Sequence, residues 1–120
     1  MKSIFVALVV AFIAGCATQP VAELNIDLAA ADAVDFVRPY ELSRTDVSFT
    51  GLGTVAGASC QAHRSAPVAT QQEALLRMKV MAAELGANAV VLRQCRETST
   101  VECRTQWVCE GDAFQQQPLR

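Results

Sequence analysis

Lysine is scarce in this chain of 120 residues: it contains two lysines and a single histidine (His63), its ten Lys and Arg residues are outnumbered by twelve Asp and Glu, and its formal net charge is −2. A protein that binds nucleic acid needs a clustered basic face, so this composition excludes nucleic acid as an expected partner. The chain is also too short for two full domains. One histidine without a serine/histidine/aspartate grouping provides no catalytic machinery, and we therefore expect no enzymatic activity and no cofactor.

Cys-x-x-Cys pairs are absent from the sequence, although it contains five cysteines. Such pairs are typical of structural zinc sites and of thiol redox centres. A metal-binding or redox module of the cell envelope therefore remains the weakest of the function classes that use these cysteines.

A long apolar run is missing as well. The longest run covers residues 4–14, which is 11 residues, whereas a spanning helix needs about 20. The run follows Lys2 and has the length of the hydrophobic region of a secretory signal peptide. It leads into Ile13-Ala14-Gly15-Cys16, which resembles the bacterial lipobox. We expect residues 1–15 to be a signal peptide that is removed before the lipidated cysteine.

In a lipoprotein of this kind, Cys16 carries diacylglycerol and an N-acyl chain such as palmitate, and each buried CH₂ group adds about 0.8 kcal/mol to the membrane anchor. Residue 17 is Ala rather than Asp, which resembles lipoproteins that are sorted to the outer membrane. The expected membrane contact is therefore with lipid of the outer membrane, with the rest of the chain facing the periplasm.

The remaining sequence divides into a lipidated stalk at residues 16–45, a periplasmic domain at 46–114 and a frayed tail at 115–120. Alternation of Val47, Phe49 and Val55 with polar residues predicts a first strand, and Gly51 and Gly53 predict a bulge within it. A loop is expected over 56–67, a helix over 71–85, a strand over 88–95, a polar loop over 96–102 and a last strand from Cys103.

This β-α-β-β order predicts a two-layer α+β fold in which the first crossover is right-handed and gives a parallel pair, and the last two strands form an antiparallel hairpin.

The predicted helix carries clear signals at both ends. Thr70 and Glu73 have the spacing of a capping box, and Gly86 is a natural stop. One apolar stripe should face the sheet: Ala74, Met78, Met81, Ala82 and Leu85. The opposite face carries Leu76, Val80 and Ala83, which are either scattered surface apolar residues or a contact with a partner or with the stalk.

Four cysteines remain after lipidation, and in an exported domain of this size they indicate two disulfides. Cys103 and Cys109 lie six residues apart on one predicted strand, so about 20 Å separates their Cα atoms. A disulfide spans at most about 7 Å, which removes the pairing of Cys103 with Cys109. Cys60–Cys103 with Cys95–Cys109, and Cys60–Cys109 with Cys95–Cys103, both remain open.

Several segments together resemble the RcsF family: the lipobox, GLGTVAGASCQ at 51–61, ANAVVL at 87–92 before Cys95, and CRTQWVC at 103–109 with Gly111. The resemblance implies an outer-membrane lipoprotein with a small α/β domain that senses envelope damage for the Rcs phosphorelay. It also implies the disulfide pairs Cys60–Cys103 and Cys95–Cys109. The partners that it implies are the barrel-assembly machinery, porins and the inner-membrane repressor IgaA.

One segment departs from the family pattern. The family stalk is rich in proline, basic and threaded through a porin, whereas residues 17–45 contain only Pro20 and Pro39 and lean acidic. Our expectation is a sensor lipoprotein that signals by protein contact. The alternative is a structural or envelope-assembly lipoprotein with the same domain and no signalling role.

Overall fold

The computed structural model describes residues 26–119. The predicted signal peptide, Cys16 and Ala17 lie outside these residues. Within them, no helix combines the length and the apolar character that crossing a membrane would require.

The described chain forms two α-helices, one 3-10 helix and four strands. In chain order they are α1 (Leu28–Asp32), β1 (Asp35–Phe36), the 3-10 helix (Pro39–Ser43), β2 (Val47–Gln61), α2 (Gln71–Glu84), β3 (Ala89–Thr98) and β4 (Thr105–Pro118). The strands make one sheet and α2 packs on it, mainly over β2 and β4. The predicted α+β class is confirmed.

The sheet has the order β1-β3-β4-β2, and β4 pairs antiparallel with both β2 and β3. The expected hairpin of the last two strands is therefore confirmed. The expected parallel pair is wrong, because β4 lies between β2 and β3, which run in the same direction without being neighbours. The only parallel pair among residues 26–119 joins β1 to the start of β3.

Strand β2 is longer than the sequence predicted. It continues to Gln61, through the first part of the segment expected to be a loop, because residues 56–61 pair with 105–110 of β4. The register of the two strands shifts between Gly51 and Gly53, and Gly53 has a φ of 127°. The predicted bulge is thus present, at a backbone conformation that glycine adopts without strain.

The fold begins well before the predicted boundary at residue 46. Val37 donates a backbone hydrogen bond to the carbonyl of Val90 at 2.9 Å, and Ala31 and Val34 are fully buried. Val34 shares the main core with Met78 and Val90. The part of residues 16–45 that the structure describes is therefore packed on the domain rather than forming a solvated stalk. A strand of two residues is too short to show a sequence period, which is why the pattern missed it.

The predicted frayed tail is also folded. Strand β4 continues to Pro118, opposite Val47. The side chain of Asn88 accepts a hydrogen bond from the Gln116 amide at 2.7 Å and donates one to its carbonyl at 3.0 Å. The predicted polar loop after residue 95 is shorter than expected, because β3 continues to Thr98.

Helix α2 begins and ends where its sequence indicates. Thr70 Oγ1 accepts the amide of Glu73 at 3.1 Å. Gly86, at a φ of 83°, donates to the carbonyl of Ala83, and Ala87 donates to that of Ala82. These two bonds form a Schellman motif, which satisfies carbonyls left free at the helix end.

The capping box is modified by Ser59, a buried residue of β2. Its hydroxyl accepts the Thr70 amide at 3.0 Å and donates to Glu73 Oε2 at 2.6 Å. The capping box predicts that Glu73 reaches back to the cap residue, and this part of the prediction is wrong, because Glu73 is bonded to Ser59 instead. Its other oxygen accepts from Arg77. The start of α2 is fixed to the sheet through this one hydroxyl.

Candidate interaction surface and disulfide framework

Two disulfides join the strands of the domain. Cys60, at the end of β2, is bonded to Cys103 in the loop just before β4, with 5.3 Å between the Cα atoms. Cys95 of β3 is bonded to Cys109, its direct neighbour on β4, with 4.1 Å between the Cα atoms. This is the pairing that the resemblance implies, and it removes the alternative that the spacing left open.

The two bridges lie in different environments. Cys109 is fully buried among the core residues of the helix side, and Cys95 packs against the same core. Cys60 is exposed, and Cys103 is buried behind it. The first bridge therefore ties β2 to the loop at the rim of the sheet, and the second is part of the core itself.

The three residues of the predicted partner surface, Leu76, Val80 and Ala83, are all half-buried. Ala83 packs against the main core, and α1 packs on α2. Val80 lines a surface groove together with Ile26, at the start of the described chain. The structure thus covers this face in part with the chain's own N-terminal segment. Its role as a contact for another protein stays a prediction.

The sheet-facing stripe was assigned correctly at its centre and incorrectly at its margin. Ala74, Met78 and Ala82 are fully buried, whereas Met81 and Leu85 are 45% and 47% exposed. Helix α2 lies close above β2, the edge strand, so Met81 extends beyond the sheet instead of resting on it. Leu75 packs against the core at the other margin of the stripe.

A groove lined by Val80 and Met81 runs along this edge. Its volume is about 490 Å³, and its floor is residues 56–58 of β2. Arg77 and Glu84 stand at its border. No sequence motif predicts this surface, although the absence of any charged residue from 47 to 61 is a signal that could have indicated it.

No group of three or more His, Cys, Asp or Glu side chains is placed to hold a metal ion anywhere between residues 26 and 119. The His63 ring lies in an exposed loop, with Nδ1 2.9 Å from Ser65 Oγ. At the surface Arg44 donates to both carboxylate oxygens of Asp46, and this hydrogen bonding lowers the pKa of Asp46. Such an exposed ion pair is an ordinary surface feature.

Comparison with known proteins decides the family. The profile of the family described as RcsF lipoprotein matches residues 16–117, which is most of the chain. The chain belongs to the RcsF lipoprotein family. The match begins at Cys16 and includes all four disulfide cysteines.

Two curated relatives carry the family name in full. The proteins named outer membrane lipoprotein RcsF from Escherichia coli strain K12 and from Escherichia coli O6:H1 strain CFT073 are each 42% identical to this chain over 67 residues. The matched segment covers 55% of this chain and 50% of each relative, so the chain spans half the length of the curated relatives it matches. The family and these names support the lipid anchor and the outer-membrane localisation that the sequence predicts, and they connect the chain to the Rcs system.

Proposed function

We propose that this protein is a non-enzymatic outer-membrane lipoprotein that senses envelope stress and activates the Rcs phosphorelay by protein contact across the periplasm. The observation that carries the proposal is the family match, which includes the acylation cysteine and the disulfide framework in one continuous segment. A small domain held by two bridges presents a rigid surface, and a rigid surface suits recognition by contact.

The proposed anchor is the acylated Cys16, which inserts into outer-membrane lipid. The proposed partners are those of the family resemblance: the barrel-assembly machinery and porins in the outer membrane, and the repressor IgaA in the inner membrane. Contact with IgaA would relieve inhibition of the kinase cascade.

The anchor is tested with three variants of the full chain. Cys16→Ser should abolish acylation and release the protein from membranes, because no acyl chain remains. Ala17→Asp should leave acylation intact and move the protein to the inner membrane, and Ala17→Ser should change neither property. Fractionation on a density gradient measures all three. A Cys16→Ser protein that still fractionates fully with the outer membrane contradicts the anchor.

Signalling is tested by purifying the tagged protein from membranes under envelope stress while recording an Rcs-dependent reporter. The expected result is recovery of IgaA of the same host together with activation of the reporter. A chain that is anchored and folded but leaves the reporter silent in every stress would favour the structural or assembly role instead.

A further inference from the structure

Strand β2 forms one edge of the sheet. It is 15 residues long, and β4 is the only strand that pairs with it among the described residues. In an antiparallel strand the backbone N–H and C=O groups of alternate residues point to opposite sides. About half of the backbone groups of β2 are therefore directed outward, away from β4.

This edge lacks the features that protect most exposed strands. Natural edge strands carry lysine, other charges or proline, or are kept very short. Val47–Gln61 contains no charged residue and no proline. Its only irregularity is the bulge at Gly51 and Gly53, and from 53 to 61 the register with β4 is continuous.

Helix α2 extends over the same edge. A Cβ atom on Gly57 would overlap the backbone of Ala74 and Met78, so the helix backbone lies directly above β2. Met81 is then left 45% exposed at the side of the strand and lines the groove beside residues 56–58. A further strand added to β2 would lie beneath Met81 and bury it, as a sheet normally buries the apolar residues of its covering helix.

A second copy of this chain does not fit the site. Two β2 strands paired antiparallel would lie about 4.8 Å apart, and the two-fold axis between them places both α2 helices on the same face. Packed helices need about 8–10 Å between their axes. Since α2 stands directly above β2, two copies would bring their helices too close. A segment without a covering layer of its own meets no such obstacle.

We propose that residues 54–61 of β2 bind an extended segment of a partner protein by β-strand addition, with uncharged, small or β-branched side chains placed in the groove beneath Met81. The inference rests on the proposed function, because it identifies the surface through which contact signalling would occur. In this mode the main-chain hydrogen bonds supply affinity, and the pockets for alternate side chains supply specificity.

Hydrogen exchange measured by mass spectrometry on the full chain in detergent tests the proposal. The probe is a synthetic peptide of alternating threonine and valine with two lysines at each end, added at about 1 mM to detect weak binding. The outward amides of 54–61 should exchange about tenfold more slowly with the peptide. A control peptide has the same side chains but carries N-methyl groups along one edge, so it cannot donate the backbone hydrogen bonds that pair two strands. It should give the amides of 54–61 no protection.

A matched pair of variants locates the site. Met81→Lys should reduce the protection several-fold, whereas Val101→Lys, on a fully exposed loop residue, should leave it unchanged. Equal protection by the N-methylated peptide, or no protection by either peptide, overturns the proposal. Protection of the outward amides of 54–61 in the absence of peptide also overturns the proposal. If that protection depends on protein concentration, the occupant of the edge is a second copy of the chain. If it does not, the occupant is the chain's own segment before Ile26.

The binding assay is independent of signalling. Failure of the peptide to bind removes the strand-addition surface while leaving the reporter experiment intact. A silent reporter with normal peptide binding removes the signalling role and leaves the surface.

Discussion

At Gly57 the backbone of α2 comes so close to β2 that no side chain fits between them. A Cβ atom there would overlap Ala74 O and Met78 N and lie 2.9 Å from Met78 Cα. Gly111 on β4 has the same role one strand further in, since a Cβ atom there would lie 3.3 Å from Met78 Sδ and 2.6 Å from Val91 O. Met78 can therefore pack this close to the sheet only because positions 57 and 111 are both glycine and have no Cβ atom.

Gly57→Ala should destabilise the domain by about 3 kcal/mol, because the atoms that the new methyl meets belong to the helix backbone and cannot rotate away. Urea melts measure the effect. Gly51→Ala on the same strand is the control, since its Cβ would lie 3.8 Å from Phe114 Cε1, an ordinary contact. Its stability should stay within about 1 kcal/mol of the parent. Equal losses at the two glycines would show that the helix does not approach β2 as closely as described.

At the scale of the element, the sequence predicts both ends of helix α2 correctly but wrongly assigns Met81, at the margin of the sheet-facing stripe, to the core. Thr70 and Gly86 act on amides and carbonyls within four residues, so their effects are local and visible in the sequence. Whether Met81 is buried depends instead on how far the sheet extends beneath the helix.

Met78→Ala and Met81→Ala make a direct comparison on this helix. Met78 is fully buried, and its truncation should cost about 2–5 kcal/mol through lost contacts and the cavity left behind. Met81→Ala should cost under about 1 kcal/mol, because nearly half of the side chain already faces solvent. Denaturant melts of both variants decide the matter, and a loss at Met81 equal to that at Met78 would place both side chains in the core.

The order of the strands along the chain is not enough to predict which strands are neighbours in the sheet. The sequence predicts that β2 and β3 run in the same direction, since a helix connects them. It does not show that β4 inserts between them, because that depends on which strand pairs better with β2 over 14 residues. Likewise Leu28, Ala31 and Val34 have helical spacing, but the spacing alone does not show that Ala31 and Val34 are buried. Their burial depends on contacts with distant parts of the chain, such as the packing of α1 on α2.

The whole molecule depends on its two bridges, because a domain of this size has a total stability of only about 5–10 kcal/mol. The bridges enclose sequence separations of 43 and 14 residues and interleave along the chain. In the chain-entropy model they contribute about 4 and about 3 kcal/mol as upper estimates. Their positions nevertheless favour the shorter bridge as the more critical one.

Replacing Cys95 and Cys109 by Ser should destabilise the domain at least as much as replacing Cys60 and Cys103. The first pair loses loop closure and also places a hydroxyl in the buried position of Cys109, which costs about 1–3 kcal/mol if it is unsatisfied. In the second pair Cys60 is exposed and Cys103 keeps 7% of its surface exposed, whereas Cys109 has none.

Urea melts of the two double variants, with peptide mapping under non-reducing conditions, provide the measurement. Loss of both bridges should unfold the domain. A fully reduced protein with unchanged stability would refute the structural role, and a peptide that joins Cys95 to Cys103 would refute the pairing.

The early start of the fold has a consequence for where the domain can travel. Because the described fold already includes Ile26, no more than ten peptide steps separate it from the proposed anchor at Cys16, a distance of at most about 35 Å. A tether ending at residue 45 would have allowed about 100 Å. The volume within reach scales with the cube of that radius, so it is smaller by about twentyfold, and the local concentration of the domain next to any partner inside it is correspondingly higher. Encounters are thereby concentrated at the inner surface of the outer membrane. A partner that is anchored elsewhere has to extend to within the reach of the tether before the domain can contact it.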